Sequence, residues 1–218
     1  MVKQGRSAHT RQTLIRAAGE EFARGGFEPV SLSRISKRAG VSYGGLHHHF
    51  SGKQDLAGAV VAEAAAILRD EVCGGAGPEP GDGGRAALAR LVESTYRLVG
   101  RLDRDAVVQA GFVLTLDISS PDLGEDLREQ WRCWVEETLA QAERAQELGA
   151  GIRGSDVATA VVAATVGFEA LSVRDRAWLE PDVVSRFWRL LLPRVASPAT
   201  AAALRADDCP PVGHEATP

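Results

Sequence analysis

Residues 31–53 read SLSRISKRAGVSYGGLHHHFSGK, and this stretch decides the fold. Ser31 and Ser42 are suited to cap the amino ends of two short helices, because a serine hydroxyl accepts a hydrogen bond from a backbone amide of the first turn. The pattern predicts helices over 32–38 and from 42 to about 48, with a tight turn at 39–41 that contains Gly40. Two short helices joined by a glycine-containing turn form a helix-turn-helix.

The second helix of such a motif can enter the major groove of DNA, which is wide enough to admit an α-helix. The Ser42 hydroxyl and the amides beside it suit a phosphate. Tyr43 and Gly44 permit close approach to base edges, and Lys53 is placed to bind a backbone phosphate. A helical hairpin without any ligand is the alternative. The predicted DNA-contacting residues are Ser31, Ser33, Arg34, Ser42, Tyr43, Gly44, His47, His48 and Lys53.

The run His47-His48-His49 raises the question of a metal site. Adjacent residues of a helix point about 100° apart, whereas ligand pairs are expected three or four residues apart. We therefore expect no metal and no cofactor. His47 is expected to face DNA, and His48 and His49 to lie at the junction with the fourth helix, with His48 kept among the candidate contacts.

Charge is distributed unevenly along the chain. Residues 1–56 carry nine Lys or Arg and four acids, a net charge of +5, while the remaining residues carry a net charge of -9. A basic amino-terminal part on an acidic body is typical of a protein whose electrostatic contact with nucleic acid is confined to one end.

Composition narrows the class of protein. The chain has 218 residues, and no uninterrupted apolar stretch reaches the roughly 18 residues that a membrane span requires. The polar start, MVKQGR, is unlike a secretion signal. Three scattered cysteines form no CxxC pair and favour free thiols. We expect a cytoplasmic protein that does not associate with membranes.

Apolar residues recur every three or four positions nearly throughout, which predicts an all-α protein. The first helix is expected at about 7–24, with Leu14, Ala17, Ala18 and Phe22 on one face. A long fourth helix is expected at about 52–73, and later helices at 85–101, 104–116, 121–148, 155–173, 181–194 and 198–205. The predicted domains are a helix-turn-helix domain at 1–55, a helical ligand-binding and dimerisation domain at 56–205 and a disordered tail at 206–218. Residues 73–84, rich in glycine, are expected to form a mobile connector.

The stretch 10–61, TRQTLIRAAGEEFARGGFEPVSLSRISKRAGVSYGGLHHHFSGKQDLAGAVV, resembles the DNA-binding domain of the TetR/AcrR family of repressors. The shared features are Phe22 followed by the pair Gly26-Phe27, and a helix-turn-helix that ends in a motif of the form GxLYxHF with a lysine after it. The chain departs from that motif at His47, where the family usually has a tyrosine that contacts phosphate.

The resemblance implies a homodimer with an all-helical C-terminal domain, in which the last two long helices of each subunit form the interface. Two apolar stripes on the helices at 155–173 and 181–194 agree with this, and ordinary packing within one chain is the alternative. The predicted dimerisation residues are Val161, Thr165, Phe168, Val184, Phe187, Trp188 and Leu191.

A weaker likeness, through residues 110–114 and the helix that contains Trp131, is to the γ-butyrolactone autoregulator receptors of actinomycetes. In that subfamily a tryptophan at the position of Trp131 lines a ligand pocket. Whether Trp131 and Trp134 line a pocket or belong only to the core stays open at this stage. The predicted ligand-binding residues are Trp131, Gln109, Phe112, Val113, Thr115, Thr165 and Tyr96.

No P-loop, GxSxG or HExxH motif is present, so the sequence nominates no enzyme. The favoured function is a repressor that binds a palindromic operator as a homodimer and is released by a small-molecule inducer, in control of secondary metabolism. A ligand-independent regulator of the same fold, a structural interaction module and a helical enzyme are the alternatives.

Overall fold

The computed structural model describes residues 2–74, 86–116 and 123–206. The predicted connector lies largely outside these ranges, and so does the predicted tail apart from Ala206, which ends the last helix. The α-helices of the described residues are α1 (Val2–Gly25), α2 (Leu32–Ala39), α3 (Tyr43–His49), α4 (Lys53–Ile67), α5 (Ala87–Arg104), α6 (Ala106–Leu116), α7 (Leu127–Arg144), α8 (Gly154–Ser172), α9 (Pro181–Val195) and α10 (Pro198–Ala206). The expectation of an all-α protein is confirmed.

The helix-turn-helix forms as its capping residues predict. The Ser31 hydroxyl accepts a hydrogen bond from the Arg34 amide over 3.3 Å, and the Ser42 hydroxyl accepts one from the Gly45 amide over 3.1 Å. Between the two helices Gly40 adopts φ +64° and ψ +24°, a left-handed conformation that favours glycine. The turn thereby reverses the chain within three residues and sets the direction of α3.

The core of the N-terminal helices is the one that the apolar spacing predicts. Leu14, Ala17, Ala18 and Phe22 of α1 are all buried, and so is Leu46, the apolar residue that anchors α3. A further link joins α1 to α4, where the Gln12 side-chain amide donates to the Glu63 carboxylate over 2.8 Å.

Helix α6 joins the N-terminal helices to the rest of the protein, because it packs along both α1 and α4. The approach is close enough to require glycine. A Cβ atom on Gly19 of α1 would lie 3.1 Å from the Val107 Cα atom, and one on Gly111 of α6 would lie 2.6 Å from the Ala64 Cβ atom. The buried residues form one continuous core from Leu14 to Val195 across the predicted domain boundary.

Three predicted helices differ clearly in length from those observed, the first because it begins at Val2 and not near residue 7. The fourth helix ends at Ile67 and passes into a π-helical turn, Leu68–Val72, closed by a hydrogen bond from the Cys73 amide to the Leu68 carbonyl. The helix predicted over 121–148 begins only at Leu127, because the Asp126 carboxylate caps it by accepting from the amides of Arg128 and Glu129.

Helix α8 is the most apolar of the long helices. By length and composition alone it could cross a membrane, a test that the core helix of a soluble protein also passes. One face of α8, which includes Val157, Val161 and Phe168, packs into the core. Its other face carries small side chains at the surface.

Candidate nucleic-acid interface and ligand site

Eight of the nine predicted DNA-contacting residues lie exposed on α2 and α3 or at their caps: Ser31, Ser33, Arg34, Ser42, Tyr43, Gly44, His47 and His48. Tyr43 exposes 53% of its surface, and its ring packs edge-on against the His47 ring with the centres 4.6 Å apart. A Cβ atom on Gly44 would meet nothing within 4 Å, so this part of α3 is open to close approach. The two short helices together present a surface of hydroxyl, phenol, imidazole and guanidinium groups.

A buried carboxylate on α1 holds the basic residues of α2. Glu21 pairs with Arg34 over 2.7 Å and with Arg38 over 2.5 Å, and Arg38 also contacts Glu20 over 2.6 Å. Burial alone would raise the pKa of the Glu21 carboxyl. The hydrogen bond from Arg38 and the charges of Arg34, Arg38 and Arg24 outweigh burial and hold that pKa below its ordinary value. Glu21 therefore stays ionised and fixes Arg34 at the edge of the helix-turn-helix.

Lys53 makes its contacts within the protein. Its Nζ atom donates to the backbone oxygens of Phe27 and Glu28, both over 3.1 Å, and lies 4.3 Å from the centre of the Phe27 ring. The ammonium group thus fastens α4 to the loop between α1 and α2. Carbonyl oxygens occupy two of its three donors, so Lys53 anchors α4 in this structure, and its predicted phosphate contact stays a prediction for the third donor.

In the C-terminal domain the structure brings Trp131 and Thr165 together. Trp131 exposes 1% of its surface, and its indole Nε1 donates to the Thr165 hydroxyl over 2.9 Å. The Thr165 hydroxyl in turn donates to the Val161 backbone oxygen over 2.9 Å. The ring of Trp134, partly exposed, stacks on Trp131 with the centres 5.3 Å apart. The polar groups of this pair are satisfied, and one face of the Trp131 indole is covered by Trp134.

Of the remaining predicted ligand residues, Tyr96 lies on α5 and the other four lie on α6. The Gln109 amide caps the end of α5 by donating to the backbone oxygens of Leu102 and Asp103. The Tyr96 hydroxyl bonds to the Ser185 hydroxyl over 2.9 Å, which joins α5 to α9. Helix α6 carries the other three, of which Phe112 is buried, Val113 is partly buried, and the Thr115 hydroxyl donates to the Gly111 backbone oxygen.

Sequence reasoning missed a partly buried ion pair beside Trp131. Arg128 pairs with Glu169 over 2.8 Å, with 13% and 11% of the two side chains exposed. Arg128 also donates to the Phe112 backbone oxygen over 2.9 Å, and its guanidinium lies 5.1 Å from the centre of the Phe112 ring. A signal was present, since Glu169 is the only charged residue between Val157 and Ser172.

Five of the seven predicted dimerisation residues face the core of their own chain: Val161, Thr165, Phe168, Val184 and Trp188. Phe187 and Leu191 are partly buried and pack against the same core. Both stripes rest on apolar periodicity, and the same periodicity also marks residues that are buried inside their own chain. An interface on α8 and α9 would therefore draw mainly on other faces of these helices, with Phe187 and Leu191 at its edge.

Those other faces carry exposed apolar residues. Leu190 of α9 exposes 80% of its surface, and Leu171 and Val173, at the end of α8, are also exposed. Along α8 the exposed positions include Thr159, Ala160, Ala163 and Ala170. We call this set, with Leu190, the α8–α9 outer face.

The cysteines within the described residues are free. Burial raises the pKa of the Cys73 thiol to about 12, so Cys73 is not a nucleophile near neutral pH. Cys133 is exposed on α7. Over the same described ranges, no group of three His, Cys, Asp or Glu residues is arranged to hold a metal ion.

Comparison with known proteins gives relatives for both parts of the chain. The family described as "Bacterial regulatory proteins, tetR family" matches residues 14–60, which include the helix-turn-helix. The A-factor receptor protein of Streptomyces griseus is 29% identical over 210 residues, covering 94% of this chain and 70% of that protein.

Solved structures extend the likeness to the whole fold. The protein CprB of Streptomyces coelicolor, determined "in complex with its biological operator sequence", is 27% identical, with a TM-score of 0.75 over 92% of this chain and 95% of that one. A structure described as a gamma-butyrolactone receptor (ArpA-like protein) is 26% identical, with a TM-score of 0.73 over 91% of this chain and 94% of that one. These relatives are regulators rather than enzymes.

Proposed function

We propose that the chain is a repressor of the tetR type of bacterial regulatory protein, which binds a palindromic operator as a homodimer and releases it when a small signalling molecule binds; the likeness of residues 14–60 to that family and of most of the chain to the A-factor receptor protein supports this. The observation that carries this proposal is the capped helix-turn-helix, whose α3 surface is exposed and open at Gly44. The protein would act in the cytoplasm, where its operator lies.

On DNA, α3 lies in the major groove. Tyr43 and His47 reach base edges or the flanking phosphates, and the Ser42 cap accepts a phosphate at the amino end of the helix. Arg34, oriented by Glu21, contacts the backbone beside the groove. His47 takes the place of the tyrosine that is usual in the family and supplies an imidazole in place of a phenol.

The dimer forms through the α8–α9 outer face. Exposed apolar residues on two neighbouring helices suit burial against a second copy, because their small side chains let the helices approach closely. Two helices from each chain would then make a four-helix interface. This arrangement fixes the distance between the two copies of α3, as two half-sites require.

The inducer binds in the C-terminal domain beside the stacked indoles of Trp131 and Trp134. The names of the relatives favour a γ-butyrolactone, and hence a role in control of antibiotic production; a furan of similar size is the alternative. An inducer releases the operator only if it binds the form that does not bind DNA more tightly than the form that does.

A second candidate is a regulator of the same fold without a ligand. It is favoured by the fact that Trp131, Thr165, Tyr96 and Gln109 already bond to the protein itself. Under this reading these residues are core, and DNA binding is set by the amount of protein alone.

Fluorescence anisotropy on the DNA upstream of the protein's own gene tests the operator proposal. We expect binding that survives physiological salt and exceeds binding to a scrambled duplex of equal length. Equal binding to both duplexes would overturn the proposal. Addition of a γ-butyrolactone probe separates the two candidates, since only the ligand-responsive one shows quenched tryptophan fluorescence together with release of the operator.

A further inference from the structure

Arg128 connects three helices of the C-terminal domain at one point. On α7 it lies one turn before Trp131; its Nη2 contacts Glu169 of α8, and its Nη1 contacts the Phe112 backbone oxygen of α6. The same Nη1 lies 3.4 Å from the Thr115 hydroxyl. A planar guanidinium can hold two helices at once in fixed geometry, which a point charge cannot.

Arg128 contacts α6 in the same part of that helix that packs against the N-terminal helices. A Cβ atom on Gly111, the residue before Phe112, would meet both the Ala64 Cβ atom of α4 at 2.6 Å and a Leu127 methyl carbon of α7 at 3.0 Å, so α4, α6 and α7 meet at this point. One turn earlier along α6, Val107 lies against Gly19 of α1. These contacts leave no space, so a shift of α6 must move α1 and α4 with it.

The Trp131–Thr165 and Arg128–Glu169 contacts are neighbouring side-chain contacts between α7 and α8, about one helical turn apart. Arg128 and Trp131 are three residues apart on α7, and Thr165 and Glu169 are four apart on α8, so each pair shares a helix face. A molecule that enters beside Trp131 therefore contacts α7 and α8 one helical turn away from the Arg128–Glu169 ion pair.

We propose that Arg128 is a positioning residue: paired with Glu169, it fixes α6 through the Phe112 backbone oxygen and thereby sets the placement of the helix-turn-helix relative to the C-terminal domain. Separation of α7 from α8 beside Trp131 draws the guanidinium away from α6 and frees the N-terminal helices to move. The part of this inference that concerns operator release rests on the function proposed above; the part that concerns α6 does not.

The guanidinium also has unused binding capacity. Its Nε atom is buried and has no hydrogen-bond partner among the described residues. Such a donor is stabilised by any acceptor oxygen that reaches it. This favours a displacement in which an incoming carbonyl or carboxylate oxygen accepts the hydrogen bonds of the guanidinium, because the cation then changes partners and is not left unpaired.

Hydrogen exchange of the full-length protein, measured by mass spectrometry, tests the proposal. Arg128→Lys keeps a positive charge opposite Glu169 but removes the planar group that reaches Phe112. A second variant, Arg128→Met with Glu169→Leu, replaces the buried pair by apolar side chains, a change that often preserves stability. The matched control is Arg132→Lys on the same helix, where the arginine is exposed and pairs with Glu129 and Glu136.

We expect amide exchange in residues 109–116 to rise at least tenfold in both Arg128 variants, with exchange in α5 unchanged, and no rise in the control. Affinity for the operator should fall about tenfold in the Arg128 variants, while affinity for a scrambled duplex stays the same. Unchanged exchange in α6 of a folded Arg128→Lys protein would overturn the proposal. If even the unmodified protein fails to prefer its operator, the proposed function fails, and the exchange data still decide the role of Arg128.

Discussion

The Lys53 ammonium lies 4.3 Å from the centre of the Phe27 ring and donates to the backbone oxygen of the same residue over 3.1 Å. The first residue of α4 is thus bound to the loop that leads into α2. A lysine that follows a helix-turn-helix is expected to bind a DNA phosphate. In this structure Lys53 holds α4 against the loop before α2 and so helps to position α2 and α3.

For Lys53→Met we expect a loss of roughly 1–2 kcal/mol in the free energy of unfolding, because two charge-assisted hydrogen bonds to backbone oxygens disappear. Urea unfolding measures this loss. Lys37→Met, on the exposed side of α2, is the control and should lie within about 0.5 kcal/mol of the unmodified protein.

The salt dependence of operator binding separates anchoring from direct contact. If Lys53 acts only as an anchor, the slope of log affinity against log salt stays unchanged in Lys53→Met while affinity falls. A slope shallower by about 0.9 would instead mean that Lys53 neutralises one phosphate.

Glu21 predicts a specific dependence of stability on pH. Its pKa in the folded protein lies below the ordinary value of 4.5, so its ion pairs contribute stability that is fully present above pH 4.5 and is lost as the pH falls through the folded pKa. We expect Glu21→Gln to be less stable than the unmodified protein at pH 7 and to converge with it in acid.

Thermal melts from pH 7 down to pH 3 check this. Glu20→Gln is the matched control, because Glu20 lies one residue away, is half exposed and pairs with Arg38 alone. A constant difference between Glu21→Gln and the unmodified protein at every pH would contradict the assignment.

Much of this arrangement is predictable from sequence, because it depends on neighbouring residues. The caps at Ser31 and Ser42 and the turn at Gly40 follow from side-chain reach and backbone preference within a few positions. The same holds for the helical face of Leu14 and Phe22, which repeats along one helix.

Contacts between distant elements were not predictable. Arg128 meets Glu169 and Phe112 only after three helices have packed, and no spacing in the sequence encodes that meeting. Likewise the apolar stripes through Val161 and Val184 show that residues are buried, but not whether their own chain or a second chain buries them. The periodicity of apolar residues therefore predicts that a side chain is buried, but it does not predict which chain buries it.

Trp131→Phe tests the indole as a ligand contact without destroying the core. Trp131→Ala would leave a cavity and cost roughly 3–5 kcal/mol. Phenylalanine keeps most of the volume, and the Thr165 hydroxyl keeps its bond to the Val161 backbone oxygen. We expect operator affinity to be retained and release by a γ-butyrolactone probe to weaken at least tenfold.

The matched control for that experiment is Trp178→Phe, since its ring is exposed and stacks on Phe168 rather than on the Trp131–Trp134 pair. Anisotropy with a labelled operator measures both properties. Release of Trp131→Phe at the same probe concentration as the unmodified protein would assign Trp131 to the core alone.

Leu190→Glu tests the α8–α9 outer face. Leu190 exposes 80% of its surface in one chain, so the substitution costs the folded monomer little but places one charge from each copy in the proposed interface. We expect a shift from dimer to monomer in analytical ultracentrifugation. Operator affinity should fall about 100-fold or more, since the second half-site is no longer bound within the same complex.

Leu116→Glu makes the same change at an exposed leucine at the end of α6, away from the proposed interface, and should leave the dimer intact. If Leu190→Glu remains a dimer at the same concentration, the interface lies elsewhere.

Gly111→Ala tests how tightly α6 is fitted between its neighbours. The added Cβ atom would lie 2.6 Å from the Ala64 Cβ atom and 3.0 Å from a Leu127 methyl carbon, so the helices must move apart. Overpacking of this kind costs roughly 1–3 kcal/mol.

Gly100→Ala is the control, because a Cβ atom there meets nothing within 4 Å in the interior of α5, and alanine should stabilise that helix by about 0.5–1 kcal/mol. Opposite shifts of the two melting temperatures are therefore expected. A Gly111→Ala protein that melts at or above the temperature of the unmodified one would mean that α6 moves freely, in which case it could not transmit a change from the C-terminal domain to α1 and α4.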